Sequence, residues 1–231
     1  MVVVTCEHGG NAIPKRWAAL FRGKEGVLRT HRGYDIGAAR MAEIVASALH
    51  ASLFVAGVSR LLVDLNRSPH HPRRFSELTR GLPAAEKARI VRGYYEPHRG
   101  AVEGAVAAGI ARGRPILHLG VHSFTPVLDG VVRRADIGLL YDPESRAERD
   151  LCSAWQGALA RTAPSLVVRR NYPYRGVSDG FTTAVRRLHR APAYAGVEIE
   201  VNQARLGSRS AIDAAGRILA ESLVEALARR H

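Results

Sequence analysis

Two histidines in this chain of 231 residues follow apolar, strand-like runs, and each stands beside residues that favour a turn. His8 lies in "CEHGGN" after Val2–Thr5, and His122 lies in "HSFTP" after Pro115–Val121. Histidines on neighbouring strand ends can bind zinc, whose catalytic sites take three protein ligands and leave one position for water. Glycines after His8 allow a sharp turn and a close backbone approach. The two motifs predict a metal site, with an ordinary loop as the alternative for His8.

A third histidine, His118, stands four residues before His122 on the same face of the predicted strand. A histidine inside an apolar strand is more often held by hydrogen bonds within the sheet than used as a ligand. We therefore interpret His118 as a structural residue.

The motif "GVEIEVNQ" places Glu198 and Glu200 on one face of an otherwise apolar strand. Burying carboxylates is costly unless they are paired or bind a ligand, so a strand this apolar indicates a functional use. Either glutamate could act as a general base on a metal-activated water.

The motif "SRLLVDLNR" combines an apolar run with Arg60, Asp64, Asn66 and Arg67. An adjacent Asn and Arg offer a carboxylate one neutral donor and one bidentate fork. We expect Asn66 and Arg67 to bind a substrate carboxylate, with simple solvation of the surface as the alternative.

These motifs fall between alternating strand and helix patterns. The predicted strands are Val2–Thr5, Ser52–Ala56, Leu61–Leu65, Pro115–Val121, Asp136–Tyr141, Leu166–Arg169 and Gly196–Val201. The predicted helices are Asp35–His50, Ala84–Arg112 with a break near Pro97, Ser145–Thr162 and Ala211–Arg229, and Pro69–Pro83 is predicted as a loop. Such alternation predicts a three-layer α/β/α sandwich with a mixed, mostly parallel sheet. In such sheets ligands bind beyond the carboxyl ends of the strands, which is where the polar motifs fall.

Length and composition restrict the class of protein. A chain of 231 residues with 46% hydrophobic and 24% charged residues is typical of one globular domain, here spanning residues 1–231. No apolar run approaches the length of a membrane span, and no basic segment precedes the first valines. The two cysteines, Cys6 and Cys152, do not suggest a disulfide framework. We expect a cytoplasmic protein with no membrane partner.

The excess of 34 Lys and Arg over 21 Asp and Glu gives a formal net charge of +13. The arginines are scattered, and neither a basic tail nor a nucleic-acid-binding motif is present. We therefore expect no nucleic-acid partner, and a positive field would equally favour a small anionic substrate. The oligomeric state is left open.

Taken in succession, seven motifs resemble the N-formylglutamate amidohydrolase family over nearly the whole chain. They are "CEHGGNAIP", "HRGYDIGA", "SRLLVDLNRSP", "HSFTPVLDG", "DIGLLYD", "NYPYRGVSDGFT" and "EIEVNQ". The resemblance implies a zinc-carboxypeptidase-like (phosphorylase/hydrolase-like) fold. It also implies zinc-dependent hydrolysis of the amide bond of an N-acyl acidic amino acid such as N-formylglutamate, giving formate and the free amino acid.

The resemblance also implies roles for individual residues. His8 and His122 would bind Zn²⁺, and Asn66 and Arg67 would hold the substrate α-carboxylate. Glu200 would act as base and then as proton donor. In this mechanism a cation helps to stabilise the tetrahedral oxyanion.

Several further assignments complete this set. Arg60 is the expected cation beside the oxyanion, and Ser123 and Arg134 are the remaining expected substrate-binding residues. Asp35 and Tyr141 stand in matching segments without an assigned role.

The third metal ligand is left open. Carboxypeptidase-like sites have a glutamate three residues after the first histidine, where this chain has Asn11, and Glu7 is the neighbouring carboxylate. Asn11 motivates one alternative, a binding or regulatory module with a weakened metal site. A peptide carboxypeptidase is the other alternative.

Overall fold

The computed structural model describes residues 1–189 and 191–229, and its centre is a sheet of six strands. These strands are β1 (Val2–Cys6), β2 (Ser52–Val55), β3 (Ile116–Phe124), β6 (Ile137–Leu140), β7 (Val168–Arg170) and β8 (Tyr194–Asn202). Their order is β2-β1-β3-β8-β6-β7, and every neighbouring pair is parallel except β8 and β6. A separate hairpin is formed by β4 (Val127–Leu128) and β5 (Val131–Val132). The mixed, mostly parallel sheet is therefore confirmed.

Helices cover both faces of the sheet. Within the described residues the α-helices are α1 (Glu25–Leu28), α2 (Ala38–Ala48), α3 (Ala84–Ile90), α4 (Glu96–Ala111), α5 (Arg146–Thr162), α6 (Phe181–Leu188) and α7 (Arg209–Ala228). One apolar core lies between the sheet and α2, α5 and α7, and it includes Val4, Leu119 and Ile199. A second core, which includes Val3 and Phe181, packs α4 and α6 against the opposite face. Because side chains alternate along a strand, these two cores confirm the predicted three layers.

The strand register brings the predicted polar residues to one edge of the sheet. In the parallel pair of β3 and β8, His122 lies opposite Glu200. β1 pairs with the other side of β3, and His8 follows β1 by two residues. A Cβ atom at Gly10 would collide with the carbonyl of Gly57, so the loop after β1 packs closely on the loop after β2. Here the glycine permits a close approach to backbone.

The predicted strand Leu61–Leu65 is wrong, because this segment is a buried loop with turns. Ser59 closes the first turn by accepting a backbone hydrogen bond from Leu62. Leu62, Val63 and Leu65 pack in a separate apolar cluster with Trp17 and Phe21. The apolar run indicated burial correctly, but an apolar pattern alone does not determine backbone conformation.

Three further features of the secondary structure differ from the prediction. β3 continues to Phe124, so His122 lies within the strand rather than after it. The helical run after Ala84 has no break at Pro97, because Pro97 lies in the first turn of α4, where proline is tolerated. The irregular part of this run is instead a π-helical segment at Val91–Tyr95. α6 was not predicted. In the described ranges, no helix has the length and apolar character needed to cross a membrane.

Candidate active site

Three buried side chains form the centre of the candidate site: His8, Asp35 and His122. One ligand atom from each lies within 4.8 Å of the other two. Oδ2 of Asp35 is 3.3 Å from Nδ1 of His8 and 2.8 Å from Nδ1 of His122. His8 comes from the loop after β1, His122 from β3, and Asp35 from the turn before α2. Two imidazoles and a carboxylate are the ligand types found in catalytic zinc sites.

Each of these histidines has its second ring nitrogen against another buried carboxylate. Nε2 of His8 is 2.7 Å from Oδ1 of Asp64, and Nε2 of His122 is 3.1 Å from Oε2 of Glu7. We call Glu7 and Asp64 the outer carboxylates. Metal-binding histidines commonly present their second nitrogen to such a partner, which fixes the tautomer and the ring orientation.

The electrostatics of the cluster favour a bound cation. Burial opposes ionisation of Asp35, but His8 and His122 outweigh it and hold the pKa of that carboxyl well below its usual range. Burial likewise opposes a charge on His122, yet Asp35 and Glu7 raise the pKa of His122 well above its ordinary value. The carboxylates are therefore ionised and draw positive charge onto the imidazoles. A metal ion would supply that charge in place of the protons.

Several buried polar atoms around this cluster have no hydrogen-bond partner among the described residues. In the part of the chain that the structure describes, four buried side-chain atoms lack a hydrogen-bond partner: Glu7 Oε1, His98 Nε2, His122 Nε2 and Glu200 Oε2. Nε2 of His98 lies 3.7 Å from Oε1 of Glu7, and Nε2 of His122 lies 3.1 Å from Oε2 of Glu7 without forming a hydrogen bond. Unsatisfied buried polar groups are rare in native proteins. Three of these atoms meet on the Nε2 side of His122, opposite Asp35, so the network of charged groups around the candidate metal group is incomplete.

The two glutamates of β8 differ in their surroundings. Glu198 is partly exposed, and its Oε1 accepts a hydrogen bond of 2.8 Å from the hydroxyl of Thr182. Glu200 is buried, and its Oε2 has no hydrogen-bond partner. Burial raises the pKa of Glu200 to about 8, with His122 opposing and Asp35 contributing to the increase. Glu200 therefore has the free oxygen and the high proton affinity that a general base requires.

Arg60, Asn66 and Arg67 line the same cavity as the histidines. Arg60 donates to Asp35 over 3.3 Å and to Asp64 over 3.1 Å, which ties the central cluster to an outer carboxylate. Asn66 Oδ1 accepts from the backbone of Phe181, which leaves the amide nitrogen as its available donor. Arg67 makes one hydrogen bond of 3.0 Å, to the backbone carbonyl of Asp179. The structure thus brings all three to the site.

Two other predicted residues lie elsewhere or have different partners. The amide of Asn11 donates to the carbonyl of Leu28, and the candidate ligand group contains Asp35 in its place. Asp35, which the sequence analysis left without a role, is therefore a candidate third ligand beside the two histidines, and the assignment of Asn11 stays a prediction. Arg134 is exposed outside the cavity, whereas the buried Arg133 donates to the hydroxyl of Tyr174 at the cavity wall.

The structure also places Tyr141 and Ser123, two further residues of the matching motifs. Tyr141 packs in the apolar core between the sheet and α2, α5 and α7. Ser123 does line the cavity, but its hydroxyl donates to the carbonyl of Ile36 and accepts from Gln203. Its placement agrees with the prediction, although its hydroxyl already has two partners.

His118 is confirmed as a structural histidine. Its ring bonds the hydroxyl of Thr5 at 2.9 Å and that of Tyr194 at 2.7 Å. Burial lowers the pKa of His118 to about 4, so the ring is neutral at neutral pH.

The cavity around these residues has a volume of about 390 Å³, which suits a ligand of amino-acid size. Its lining residues are His8, Asp35, Arg60, Asn66, Arg67, Arg73, His122, Ser123, Leu128, Tyr174, Arg175, Ser178, Asp179, Glu198 and Glu200. Sequence reasoning assigned no role to Asp35, Arg73 or Arg175. The only sequence signal for Asp35 was its place in "HRGYD", where an acid before a helix is also typical of a cap.

Comparisons with known proteins find solved structures that share this fold. The structure superposes on the gene product Atu2144 from Agrobacterium tumefaciens with a TM-score of 0.85 and 31% identity, covering 99% of this chain and 91% of that one. It superposes on N-formylglutamate amidohydrolase from Ralstonia eutropha JMP134 with a TM-score of 0.72 and 20% identity, covering 99% and 94%. A metallo-carboxypeptidase from Burkholderia cenocepacia gives 0.39 and 14%, covering 99% and 57%, a likeness too low to support an argument.

No curated protein sequence matches the chain. The family model described as N-formylglutamate amidohydrolase matches residues 1–206, which is most of the sequence. The chain therefore belongs to the N-formylglutamate amidohydrolase family, and it is an amidohydrolase, an enzyme that hydrolyses C–N bonds.

Proposed function

We propose that this amidohydrolase is zinc-dependent and cleaves an N-formyl acidic amino acid such as N-formylglutamate, giving formate and the free amino acid. The observation that carries the proposal is that one cavity joins a candidate metal group (His8, Asp35 and His122) to the unpaired carboxylate of Glu200. Arg67 and Asn66 line the same cavity and supply donors for an anionic substrate. Family membership supports the type of reaction.

His8, Asp35 and His122 would hold the metal ion. Bound Zn²⁺ supplies Lewis acidity, polarising the acyl oxygen and lowering the pKa of water toward about 7. The outer carboxylates, Glu7 and Asp64, would hold the two imidazoles in the required tautomer.

The substrate is oriented by its carboxylate. Arg67 can form two parallel, charge-assisted hydrogen bonds to the α-carboxylate, and the amide of Asn66 can add a third donor. Arg60 also lines the cavity and carries a permanent charge that could act on the developing oxyanion, while its bonds to Asp35 and Asp64 keep those carboxylates in place.

Glu200 moves the proton. Its carboxylate accepts a proton at Oε2 from the water that attacks the formyl carbon. As the C–N bond breaks, Glu200 returns that proton to the leaving nitrogen, so one water is consumed and formate and the amino acid are released. A carboxyl with a pKa near neutrality suits both halves of this cycle, because it can accept and donate at the same pH.

The experiment combines metal analysis with a substrate panel. Purified protein should contain about one zinc per chain, and it should hydrolyse N-formylglutamate faster than N-acetylglutamate or short peptides. The matched control is N-formylglutamate with its α-carboxyl amidated, which the enzyme should cleave poorly. Equal rates on the amidated and free substrates would remove the role of Arg67, and preference for peptides would favour the carboxypeptidase alternative.

We also propose that the enzyme works in the cytoplasm on a diffusible substrate. The proposed reaction requires neither nucleic acid nor a membrane surface. The +13 charge of the chain would help to attract a small anion.

A further inference from the structure

The candidate cavity contains two guanidinium groups that the proposed function does not yet use, those of Arg73 and Arg175. Arg60 is occupied by Asp35 and Asp64, and Arg67 donates to the Asp179 carbonyl. In the ranges described, by contrast, the side chains of Arg73 and Arg175 make neither an ion pair nor a hydrogen bond. Both residues are exposed, so their guanidinium groups lie at the solvent-facing side of the cavity, where two unpaired cations attract an anion.

The backbone beside Arg175 is held firmly. The next residue, Gly176, donates to Oδ1 of Asn171 at 3.0 Å and accepts from Thr183 at 3.1 Å. A Cβ atom at Gly176 would collide with the backbone of Tyr141, so this loop lies directly against the end of β6. Arg175 therefore projects from a fixed position, which reduces the entropic cost of binding a ligand.

The backbone beside Arg73 is also fixed. The carbonyl of Arg74 accepts a 2.8 Å hydrogen bond from the backbone of Asp64, the outer carboxylate that contacts His8. The guanidinium of Arg74 lies over the rings of Phe75 and Tyr95, which holds this part of the loop. The metal cluster and Arg73 are thus linked through one short segment of chain.

We propose that Arg175, assisted by Arg73, is the specificity-determining residue that binds a second carboxylate of the substrate, the one on its side chain. This proposal rests on the proposed function, because the first carboxylate is assigned to Asn66 and Arg67. With Glu200 and the metal group taken up by the reacting amide, Arg175 and Arg73 are the cavity's remaining cations. A substrate with one carboxylate would leave both without a partner. A dicarboxylic amino acid matches the charges and the cavity of about 390 Å³.

The experiment compares N-formylglutamate with its near-isosteric amide, N-formylglutamine. Arg175→Gln should lower kcat/KM for N-formylglutamate roughly 10- to 100-fold, the range for losing a charge-assisted hydrogen bond, mainly through KM. Its activity on N-formylglutamine should stay within about threefold of wild type. Arg73→Gln should show the same pattern with a smaller loss. Arg80→Gln is the matched control, because Arg80 is exposed on the same loop as Arg73 and does not line the cavity.

Calorimetric binding of glutamate and glutamine makes the test independent of turnover. Wild type should bind glutamate at least about tenfold more tightly, and Arg175→Gln should abolish that preference. Equal treatment of acid and amide by wild type, or an equal loss of both in Arg175→Gln, would overturn the assignment while leaving the hydrolase intact. A wild-type preference for glutamate without any hydrolysis would support the binding role and refute the proposed function.

Discussion

His118 and His122 lie four residues apart on the same face of β3, and both are buried, yet their surroundings favour opposite charge states. His118 is held by two hydroxyls, and burial lowers its pKa to about 4. His122 lies between Asp35 and Glu7, and these carboxylates raise its pKa well above the ordinary value despite burial. Strand position and burial are the same for both, so the partners decide the difference.

The comparison shows how a ligand-binding histidine can be recognised. The His118 network is complete, with both ring nitrogens bonded to neutral groups. The His122 cluster has an excess of ionised carboxylates, and unpaired atoms remain on His122, Glu7 and Glu200. A complete network of neutral partners is typical of a structural histidine, whereas buried ionised carboxylates with unpaired neighbours are typical of a site that binds a cation.

The largest expected effect comes from removing a ligand. His122→Ala or Asp35→Ala should reduce zinc from about one per chain to near zero, because each removes one of three protein ligands. His118→Gln should retain the metal. Metal analysis of the purified variants checks this, and zinc retained in both site variants would refute the metal assignment.

The next effect concerns the general base. Glu200→Gln keeps the size of the side chain but cannot accept the proton, so kcat should fall by roughly 10²- to 10⁴-fold with zinc content unchanged. Glu198→Gln, on the same strand face, should cost far less because Glu198 already bonds Thr182. Steady-state kinetics would decide between them, and the reverse ranking would make Glu198 the base.

The pH dependence of stability tests the environment of His118, the structural histidine of the comparison. His118 has a pKa of about 4 in the fold and 6.5 as its ordinary value, so the unfolded chain binds the proton first. Its neutral state contributes stability fully above pH 6.5, and about 3 kcal/mol of that is lost as pH falls from 6.5 to 4.

The His118→Gln variant cannot titrate at this position but keeps one donor and one acceptor for Thr5 and Tyr194. The difference in the free energy of unfolding between wild type and variant should therefore shrink as pH falls across this window. Denaturant unfolding at pH 7 and pH 4.5 measures it. A pH-independent difference would mean that His118 does not titrate as inferred.

The smallest expected effect concerns an outer carboxylate. Glu7→Gln should weaken zinc affinity by about 10- to 100-fold without abolishing binding, because the partner of His122 loses its charge. Competition with a chelator measures the affinity directly. His118→Gln is the control and should leave affinity within about twofold, and an unchanged affinity in Glu7→Gln would exclude a role for that carboxylate.

Part of this site could be read from the sequence because it depends on local pattern. Apolar runs that end in polar motifs predicted His8, His122, Glu200 and Arg67 at one edge of a mostly parallel sheet. Strand periodicity also placed Glu198 on the face of Glu200, and the structure adds the Thr182 bond that distinguishes them.

The backbone of Leu61–Leu65 and the position of Asp35 could not be predicted from local sequence pattern. The run Leu61–Leu65 has the composition of a strand, but it forms turns inside an apolar cluster. A short apolar run indicates burial and does not distinguish a strand from a buried loop, so its backbone conformation could not be predicted. Asp35 reaches His8 and His122 only because α2 packs against β1 and β3, and nothing in "HRGYD" fixes that position.

The sequence by itself determined the layered α/β architecture, the family, and the types of side chain available for the chemistry. Those features follow from periodicity and from motifs in fixed order along the chain. Only the tertiary structure decided that Asp35 rather than Asn11 joins the two histidines, that Arg133 rather than Arg134 contacts the cavity wall, and that Arg73 and Arg175 line it. These contacts join residues far apart in the chain, and the packing of the elements that carry them, rather than local pattern, sets which atoms meet.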